Sequence, residues 1–562
     1  MSKTSAPPPE PKTVNVAVIG AGPAGLLAAI LLLRRNDNSS HNERWRRHDH
    51  TKYRVTLIDP GVDYGQLDEA GLQRSRSWMI GLSAHGLRAI QTVPALYEEY
   101  IQGLGVDIEH VVFGVSPKHK FTMTVPKNSS ADPETAATRS GDGEEKNSFT
   151  VDRNFICAAL SRYLNDHYGA ATTTAAVAGK STSSLYVPMY QTRALYVDGD
   201  NKVIVARPTT NDNDRDYDGT IPYDLVLGCD GIRSVVRNAF LTTERDFEFD
   251  VSGTFGYGKA VHIPLPADVK DGTFMFINQA LPGGWGSFIL PETNQMLNVA
   301  LGTNLSVPCC AELQSPDPKV VARYFLEHWH AFELTVASAQ LIGEQWVAEK
   351  KWNSISQVHC NFYHSTKLQA LLLGDAAHAT SPQIGQGMNT ALADAAALDE
   401  FLTLCEDDWT KVLPMFSKER VKEGHALTDL SFHTFSLDGT QQIILLVKQN
   451  IRRTLHKYFA WAGVAPDPMT EISSHGMKLS EAYKQMKSQF GVIPKVRAVN
   501  EKIMRTYFEK SIGLIDDDDD ETAASVIITT LRNHTFVKYG LVPVTVIAAC
   551  AIGLRQSKRL WW

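Results

Sequence analysis

The chain has 562 residues, of which 43% are hydrophobic, and its formal net charge is -7 at pH 7. This length can bury a large core divided among two or more subdomains. The acidic balance disfavours nucleic-acid binding, which relies on basic surfaces. Seven cysteines occur without CxxC or Cys/His metal spacing, so we expect reduced thiols and no structural zinc.

The first predicted element is a strand beginning at Val14, followed by Gly20-x-Gly22-x-x-Gly25 and an apolar helix. In a dinucleotide-binding loop the first glycine permits a tight turn, and the second lets the backbone approach a pyrophosphate. The third allows close packing of helix and strand. A second predicted strand ends at Asp59, the acidic residue expected to bind a ribose hydroxyl. This order of elements predicts dinucleotide binding.

Polar stretches interrupt the first half of the chain and are predicted to be surface insertions. They are residues 36–52, 127–148, 172–184 and 209–219. A buried strand then leads into Gly228-Cys-Asp230-Gly231 and a short helix. Residues 247–301 contain short alternating or aromatic runs broken by Gly and Pro, which predict an antiparallel sheet.

A second apolar run ends at Gly374-Asp375 and precedes a loop with Pro382 and an Ala-rich helix over residues 390–398. The carboxylate of Asp375, at the end of a strand, can accept hydrogen bonds from ribose hydroxyls. The amides at the start of the helix carry partial positive charge. They suit an anion or a ring that becomes anionic.

Beyond Ala395 the chain is predicted to be mainly helical, and the acidic run 516–521 is predicted to be a solvated linker. Residues 539–554 are almost entirely apolar and are flanked by basic residues and a terminal Trp pair. These features favour a C-terminal membrane anchor, with a buried terminal helix as the alternative. The N-terminus is a short Pro-rich tail without an apolar signal region.

Together the three blocks resemble the class A flavoprotein monooxygenases, which are FAD-dependent aromatic hydroxylases. The resemblance extends from about Val14 to about Phe459 and is greatest to the kynurenine 3-monooxygenases. That likeness lies in phrases at residues 228–231, 373–378, 385–389, 429–431 and 448–450, and in the hydrophobic C-terminus.

The resemblance implies an α/β fold like that of p-hydroxybenzoate hydroxylase, with a Rossmann-type FAD domain and an α+β substrate sheet. We assign residues 12–240 and 360–405 to the FAD-binding domain and residues 241–359 to the substrate-binding sheet. Residues 406–515 form a helical region, and residues 516–562 form the acidic linker and membrane anchor.

The implied activity is hydroxylation of an aromatic substrate with O2, through a hydroperoxide at C4a of the flavin. FAD would be bound, and NADPH or NADH would bind transiently. The expected partners are a small aromatic or apolar substrate, O2, NAD(P)H and a membrane reached by the C-terminal segment. The catalytic domain is expected in the cytosol, and the kynurenine enzymes suggest the mitochondrial outer membrane.

The resemblance and the fingerprint together assign residues to the cofactor. They are Gly20, Gly22, Gly25, Asp59, Arg76, Arg153, Asp230, Asp375, Gly387, Met388 and Asn389. Asp230 has a second possible role, capping the turn that follows it. Pro382, Asn389 and Phe435 are catalytic candidates lining the flavin and substrate pocket. His378 is predicted to be structural, because it lies within the packed turn after Gly374.

Kynurenine enzymes bind the substrate carboxylate with an arginine and a tyrosine in the segment that corresponds to residues 106–124, and with a second tyrosine. Here Val111 or a neighbour aligns with the arginine, and Phe435 aligns with the second tyrosine. Residues 106–124 contain no arginine. A buried, unpaired carboxylate would cost on the order of several kcal/mol, which favours a neutral, bulkier or apolar substrate. The alternatives are a lipid or isoprenoid epoxidase, an FAD-dependent reductase and a non-catalytic flavoprotein scaffold.

Overall fold

A computed structural model describes residues 12–37, 51–74, 78–116, 119–124, 149–169, 184–209, 219–282, 285–303, 310–435 and 439–490. The first strands are β1 (Thr13–Ile19), β2 (Lys52–Ile58), β3 (Met79–Leu82), β4 (Val106–Asp107), β5 (His110–Ser116), β6 (His119–Thr124), β7 (Phe149–Asp152), β8 (Tyr186–Met189) and β9 (Thr192–Asp198). The later strands are β10 (Val203–Pro208), β11 (Gly219–Pro222), β12 (Leu225–Gly228), β13 (Phe249–Pro264), β14 (Thr273–Leu281), β15 (Trp285–Glu292), β16 (Met296–Thr303), β17 (Asn353–Cys360), β18 (His364–Ser365) and β19 (Ala370–Leu372).

The helices of the N-terminal half are α1 (Pro23–Arg34), α2 (Glu69–Arg74), α3 (Ala84–Gln91), α4 (Arg153–Tyr168) and α5 (Val235–Thr243). Those of the C-terminal half are α6 (Pro318–His328), α7 (Val336–Ala348), α8 (Asp375–His378), α9 (Gly387–Leu404), α10 (Trp409–Phe435), α11 (Gly439–Phe459), α12 (Pro468–His475) and α13 (Leu479–Phe490). Shorter helical turns lie between several of these elements.

A six-stranded sheet in the order β18-β19-β12-β1-β2-β8 forms the centre of the first domain. All neighbouring strands in it are parallel except β18 and β19. Helix α1 is buried along almost its whole length, because its apolar residues pack between this sheet and neighbouring helices. Its first residue is Pro23, whose fixed φ suits a helix start. The predicted Rossmann-type domain is therefore confirmed.

Parallel pairing brings the ends of four strands to one edge of this sheet. The Gly20 amide donates to the Ile58 carbonyl at 2.8 Å, and the Cys229 amide donates to the Ile19 carbonyl at 2.8 Å. The loops that follow β1, β2, β12 and β19 consequently leave the sheet side by side, as ligand sites in open α/β sheets require.

The second domain is a seven-stranded sheet in the order β17-β13-β16-β15-β14-β5-β6. Helices α6 and α7 pack on one of its faces around Trp285, Phe325 and Trp346. The antiparallel sheet predicted over residues 247–301 is confirmed by β13 to β16.

One boundary differs from the prediction. Strands β5 and β6 belong to the seven-stranded sheet, although residues 110–124 had been assigned to the FAD-binding domain. Strand β5 pairs in parallel with β14, with Val111 opposite Phe274. Such a pairing joins segments that are far apart in sequence, so the local residue pattern does not reveal it.

The chain after α9 is helical as far as it is described, which confirms that prediction. Helices α10, α12 and α13 share a small core that includes Leu427, Leu430 and Ile472. No helix among the described residues is both long enough and apolar enough to cross a membrane. The predicted anchor at 539–554 lies outside the described residues, as do most of the predicted insertions.

Candidate cofactor site

The glycine loop after β1 has one open position and two closed ones. A Cβ at Gly20, where φ is +107°, would overlap the Cys229 carbonyl, and a Cβ at Gly25 would overlap the Gly20 carbonyl. At Gly22 the nearest atom to an added Cβ is Nη2 of Arg153, at 3.5 Å. Gly22 is therefore where a phosphate can reach the backbone, as the fingerprint predicts.

Asp59 holds this loop in place. Its Oδ2 accepts from the Ala21 amide at 2.7 Å, and its Oδ1 accepts from the Gly61 amide at 2.7 Å. Each carboxylate oxygen retains a further lone pair for a ribose hydroxyl. The carboxylate thus fixes the loop from within and remains able to accept hydrogen bonds from a ligand.

Arg153 begins α4 and is exposed beside the glycine loop. Its pKa is raised by the field of Cys157 first, and then by Asp375, Tyr64 and Asp59. Because burial raises the pKa of the Cys157 thiol, that thiol is neutral at pH 7 and the carboxylates supply the field that matters there. Arg153 therefore lies within the field of both predicted ribose ligands and beside the glycine loop, which suits a group that binds a pyrophosphate. Arg76 lies outside the described residues.

Asp230 caps the following helix and leaves one carboxylate oxygen for the predicted cofactor contact. Its Oδ2 accepts from the Val235 amide at 2.7 Å and so caps α5. Its Oδ1 is buried without a partner among the described residues, and burial raises the pKa of the carboxyl group. A buried carboxylate oxygen without a donor costs free energy until a ligand supplies one. Asp230 can therefore both cap the helix and accept from a cofactor hydroxyl.

Asp375 is exposed at the first position of α8, directly after Gly374. Gly374 has φ +59°, and an added Cβ would lie 3.1 Å from the Ala391 Cβ and 3.4 Å from that of Ala24. The glycine thus permits both the turn and the close approach of α1 and α9. This packing presents Asp375 at the same sheet edge as Asp59.

A buried ionic cluster supports that turn from behind. Oδ2 of Asp394 accepts from the Gly374 amide at 2.8 Å and lies 2.7 Å from Nε2 of His378. Its Oδ1 accepts from Nε of Arg420 at 2.6 Å. Burial raises the pKa of Asp394, but Arg420 and then His378 outweigh it and lower the pKa to about 2.

His378 is 1% exposed and contacts Asp394, which confirms that it is structural. The sequence analysis missed Asp394 and Arg420. The available signal was a carboxylate within the Ala-rich stretch 390–398, since a charge among small apolar residues usually has a buried partner.

Helix α9 begins at Gly387, and its capping residue Gln386 makes no side-chain capping hydrogen bond. The first amides of the helix are therefore left for a ligand. Asn389 is fully buried, and its Oδ1 accepts from the Ser83 amide at 2.9 Å. Its Nδ2 donates to the carbonyls of Gly81 at 2.8 Å and Gly385 at 3.0 Å.

The Asn389 side chain consequently does not line the pocket as predicted. It ties β3 to the loop before α9, because its donors and acceptor are all matched by backbone groups. Only its backbone amide remains a candidate for cofactor contact.

The loop before α9 presents Pro382 to solvent. Ser381 fixes it, since the Ser431 hydroxyl donates to the Ser381 carbonyl at 2.7 Å and the two hydroxyl oxygens lie 2.9 Å apart. Pro382 therefore has a fixed position on the solvent-exposed side of the site. Phe435 ends α10, and its side chain lies outside the described residues.

This arrangement suits FAD. An open glycine position, an arginine near two carboxylates and an uncapped helix start match a pyrophosphate, two riboses and a ring that becomes anionic. The match depends on residues from four separate segments of the chain meeting at one edge.

The FAD binding domain family matches residues 189–431 of the chain. Kynurenine 3-monooxygenase of Sus scrofa is 28% identical over 244 residues, which is 42% of this chain and 49% of that protein. Kynurenine 3-monooxygenase of Cryptococcus neoformans is 23% identical over 475 residues, 79% of this chain and 82% of that protein. Violacein synthase of Chromobacterium violaceum is 26% identical over 316 residues, 55% of this chain and 70% of that protein.

Among solved structures, PqsL of Pseudomonas aeruginosa in complex with 2-aminobenzoylacetate has a TM-score of 0.53 at 15% identity, covering 77% of this chain and 98% of that one. The tetrameric 2-methyl-3-hydroxypyridine-5-carboxylic acid oxygenase has a TM-score of 0.51 at 16% identity, covering 75% of this chain and 90% of that one. The chain is similar in sequence to kynurenine 3-monooxygenases and similar in fold to these two solved structures. The match spans about half the length of some of its curated relatives.

Proposed function

We propose that this protein is an FAD-dependent, NAD(P)H-using monooxygenase that hydroxylates an aromatic substrate. The observation that carries the proposal is the meeting of the glycine loop, Asp230, Asp375 and the start of α9 at one sheet edge, beside a second sheet that can bind a substrate. FAD, when bound, accepts hydride from NAD(P)H and activates O2.

The protein would bind the cofactor, orient it and keep water away from its ring. Arg153 and the Gly22 backbone would hold the pyrophosphate, and Asp59 and Asp375 would accept hydrogen bonds from hydroxyls of the cofactor. The amides of Gly387 and Met388 would face the negatively charged edge of the reduced ring, with the helix dipole adding to their effect. Pro382 has no N–H to donate, so it would shield the reacting side of the ring.

The sheet supports an aromatic substrate and gives less support to kynurenine. Val111 is half-buried and paired with Phe274, and no arginine lies between 106 and 124. Lys120 is exposed and donates to the Ala331 carbonyl. An amino-acid carboxylate would therefore find no guanidinium in this segment.

O2 and NAD(P)H consumption by the FAD-loaded protein, measured against aromatic acids, phenols and isoprenoids, tests this function. The expected result is stimulated consumption of both, with one oxygen atom from O2 appearing in the product. Stimulated NAD(P)H oxidation that proceeds equally well without O2 would indicate a reductase, and an epoxide product would indicate an isoprenoid epoxidase. Bound FAD without stimulation by any compound would favour a scaffold.

We also propose, from the sequence, that residues 539–554 attach the protein to a membrane. An exposed aromatic cluster, Tyr458, Phe459 and Trp461, lies among residues 440–466, which contain no acidic residue and four Lys or Arg. Aromatic and basic surfaces of this kind suit a membrane interface. Deletion of residues 535–562 should release FAD-loaded protein into the supernatant, and full-length protein that remains there without detergent would contradict the proposal.

A further inference from the structure

The seven-stranded sheet has one face covered by α6 and α7 and a second face that these helices leave uncovered. Val112, Met275, Ile289, Val261 and Val299 alternate onto the face beneath α6 and α7. Their neighbours along each strand point the other way. Two connections join this sheet to the FAD-binding domain: the Thr150 hydroxyl donates to the Pro291 carbonyl at 2.8 Å, and the Val358 amide donates to the Ala379 carbonyl at 2.9 Å.

On this second face two small residues lie beside two aromatic ones, and we call this row the trough. Ala260 pairs with Ala300, and Ala300 pairs with Phe288 on the next strand. The two alanines leave space that larger side chains would fill. Phe288 borders that space, and the Phe276 ring supports it with a centroid distance of 4.7 Å. These residues are half-buried, so their apolar surface is open to a ligand.

The trough ends at a polar pair. His262 lies two residues beyond Ala260, and its Nδ1 is 2.8 Å from Oε1 of Glu292. The Gln345 side chain holds the His262 backbone, accepting from its amide at 2.8 Å and donating to its carbonyl at 2.7 Å. Since a carboxylate can only accept, the neutral imidazole carries its proton on Nδ1 and offers Nε2 as an acceptor.

We propose that the trough binds a neutral, planar hydroxyaromatic of two or more fused rings. Its rings lie over Ala260 and Ala300 against Phe288, and its hydroxyl donates to Nε2 of His262. This inference rests on the proposed monooxygenase function and specifies its substrate class. An apolar floor favours a neutral ring system, because a carboxylate placed there would lose its hydration, and the charge of protonated His262 is already balanced by Glu292.

His262 then has a chemical role that follows from its partner. The substrate O–H bond breaks, its proton passes to Nε2, and the electron pair stays on the substrate oxygen, which makes the ring more nucleophilic. Glu292 stabilises the imidazolium so formed. The groups that raise the pKa of His262 are Glu292, through its hydrogen bond and its charge, and then Asp152 on β7.

The test uses FAD-loaded protein and two ligands of matched size, 2-naphthol and 2-naphthoate, titrated by the change in flavin absorbance. We expect 2-naphthol to bind at least about tenfold more tightly, and F288A to weaken its binding by about tenfold. Y196A, at an exposed ring on β9, is the control and should change neither affinity. Equal or tighter binding of 2-naphthoate, or unchanged 2-naphthol binding in F288A, would overturn the proposal.

The role of His262 has its own measurement. NAD(P)H oxidation stimulated by 2-naphthol should rise with pH through a pKa above 6.5, because only neutral His262 accepts the proton. H262Q should bind 2-naphthol within about threefold of wild type and lose this rise. A rise retained in H262Q, or no stimulation by 2-naphthol, overturns the assignment. Protein that retains no FAD refutes the monooxygenase itself, whereas stimulation by aromatic acids alone refutes only this substrate class.

Discussion

Replacement of Asp394 by Asn tests whether the buried ionic cluster holds the cofactor turn. Both carboxylate oxygens accept hydrogen bonds, one from Arg420 and the other from Gly374 and His378. The oxygen of the amide side chain in D394N could accept from Arg420 or from Gly374, but not from both. In either orientation its NH2 group would face the remaining donor. Removing one partner of a buried charge cluster typically costs about 3–5 kcal/mol.

The lowered pKa of Asp394 gives a second value for the free energy that the ionic cluster contributes. A decrease from 3.8 to about 2 corresponds to about 2.5 kcal/mol of stabilisation of the charged form. Because this pKa is lowered on folding, the stabilisation is present above pH 3.8 and is lost as the pH falls toward about 2. The wild-type protein should lose this stabilisation in acid, whereas D394N should lack it at every pH.

Two measurements on D394N separate stability from cofactor binding. Urea denaturation should show a loss of about 3–5 kcal/mol in the free energy of unfolding, and fluorescence titration should show weaker FAD binding by the folded fraction. D399N is the matched control, since Asp399 lies on the same helix and pairs with Arg35 at 3.0 Å, away from Gly374. It should lower stability and leave FAD affinity unchanged. A D394N protein with wild-type FAD affinity and a loss below about 1 kcal/mol would refute the reasoning.

Substitutions at four further positions probe the edge of the sheet where the cofactor is proposed to bind. G22A should fold with wild-type circular dichroism but bind FAD weakly, because its Cβ occupies the open phosphate position, whereas G25A should fail to fold because its Cβ overlaps the backbone. R153M should weaken FAD binding by about 2 kcal/mol, or about 30-fold, in an equilibrium titration, without lowering the melting temperature of the apoprotein. N389D should melt at a lower temperature than N389A, since its carboxylate would face two backbone carbonyls that now accept from Nδ2.

The sequence allowed the cofactor edge to be predicted because its signals are local. Gly20, Gly22 and Gly25 each have a specific backbone requirement, and Asp59 and Asp375 follow apolar runs that can only be buried strands. Parallel pairing then places the ends of such strands together without further information. The positions of these residues in the structure follow from short-range rules.

The contacts that support the edge were not predictable in the same way. Arg420 reaches Asp394 across 26 residues of chain, and β5 pairs with β14 from a different part of the sequence. Both contacts depend on how helices and sheets pack. His262 and Glu292 show the same difficulty, because they meet across an intervening strand that no local pattern identifies.

Asn389 shows how a residue can matter to a helix-start site without its side chain touching the ligand. Its amide side chain is hydrogen-bonded to Gly81, to Ser83 and to the Gly385 carbonyl. These bonds restrict the conformation of the loop that leads into α9 and so the direction of the first helix amides. In the proposed site the amides of Gly387 and Met388 would therefore be oriented before the ligand binds, and no reorganisation would be required when negative charge develops nearby. A side chain directed at the ligand would add one hydrogen bond, whereas a side chain that fixes the loop orients several backbone donors.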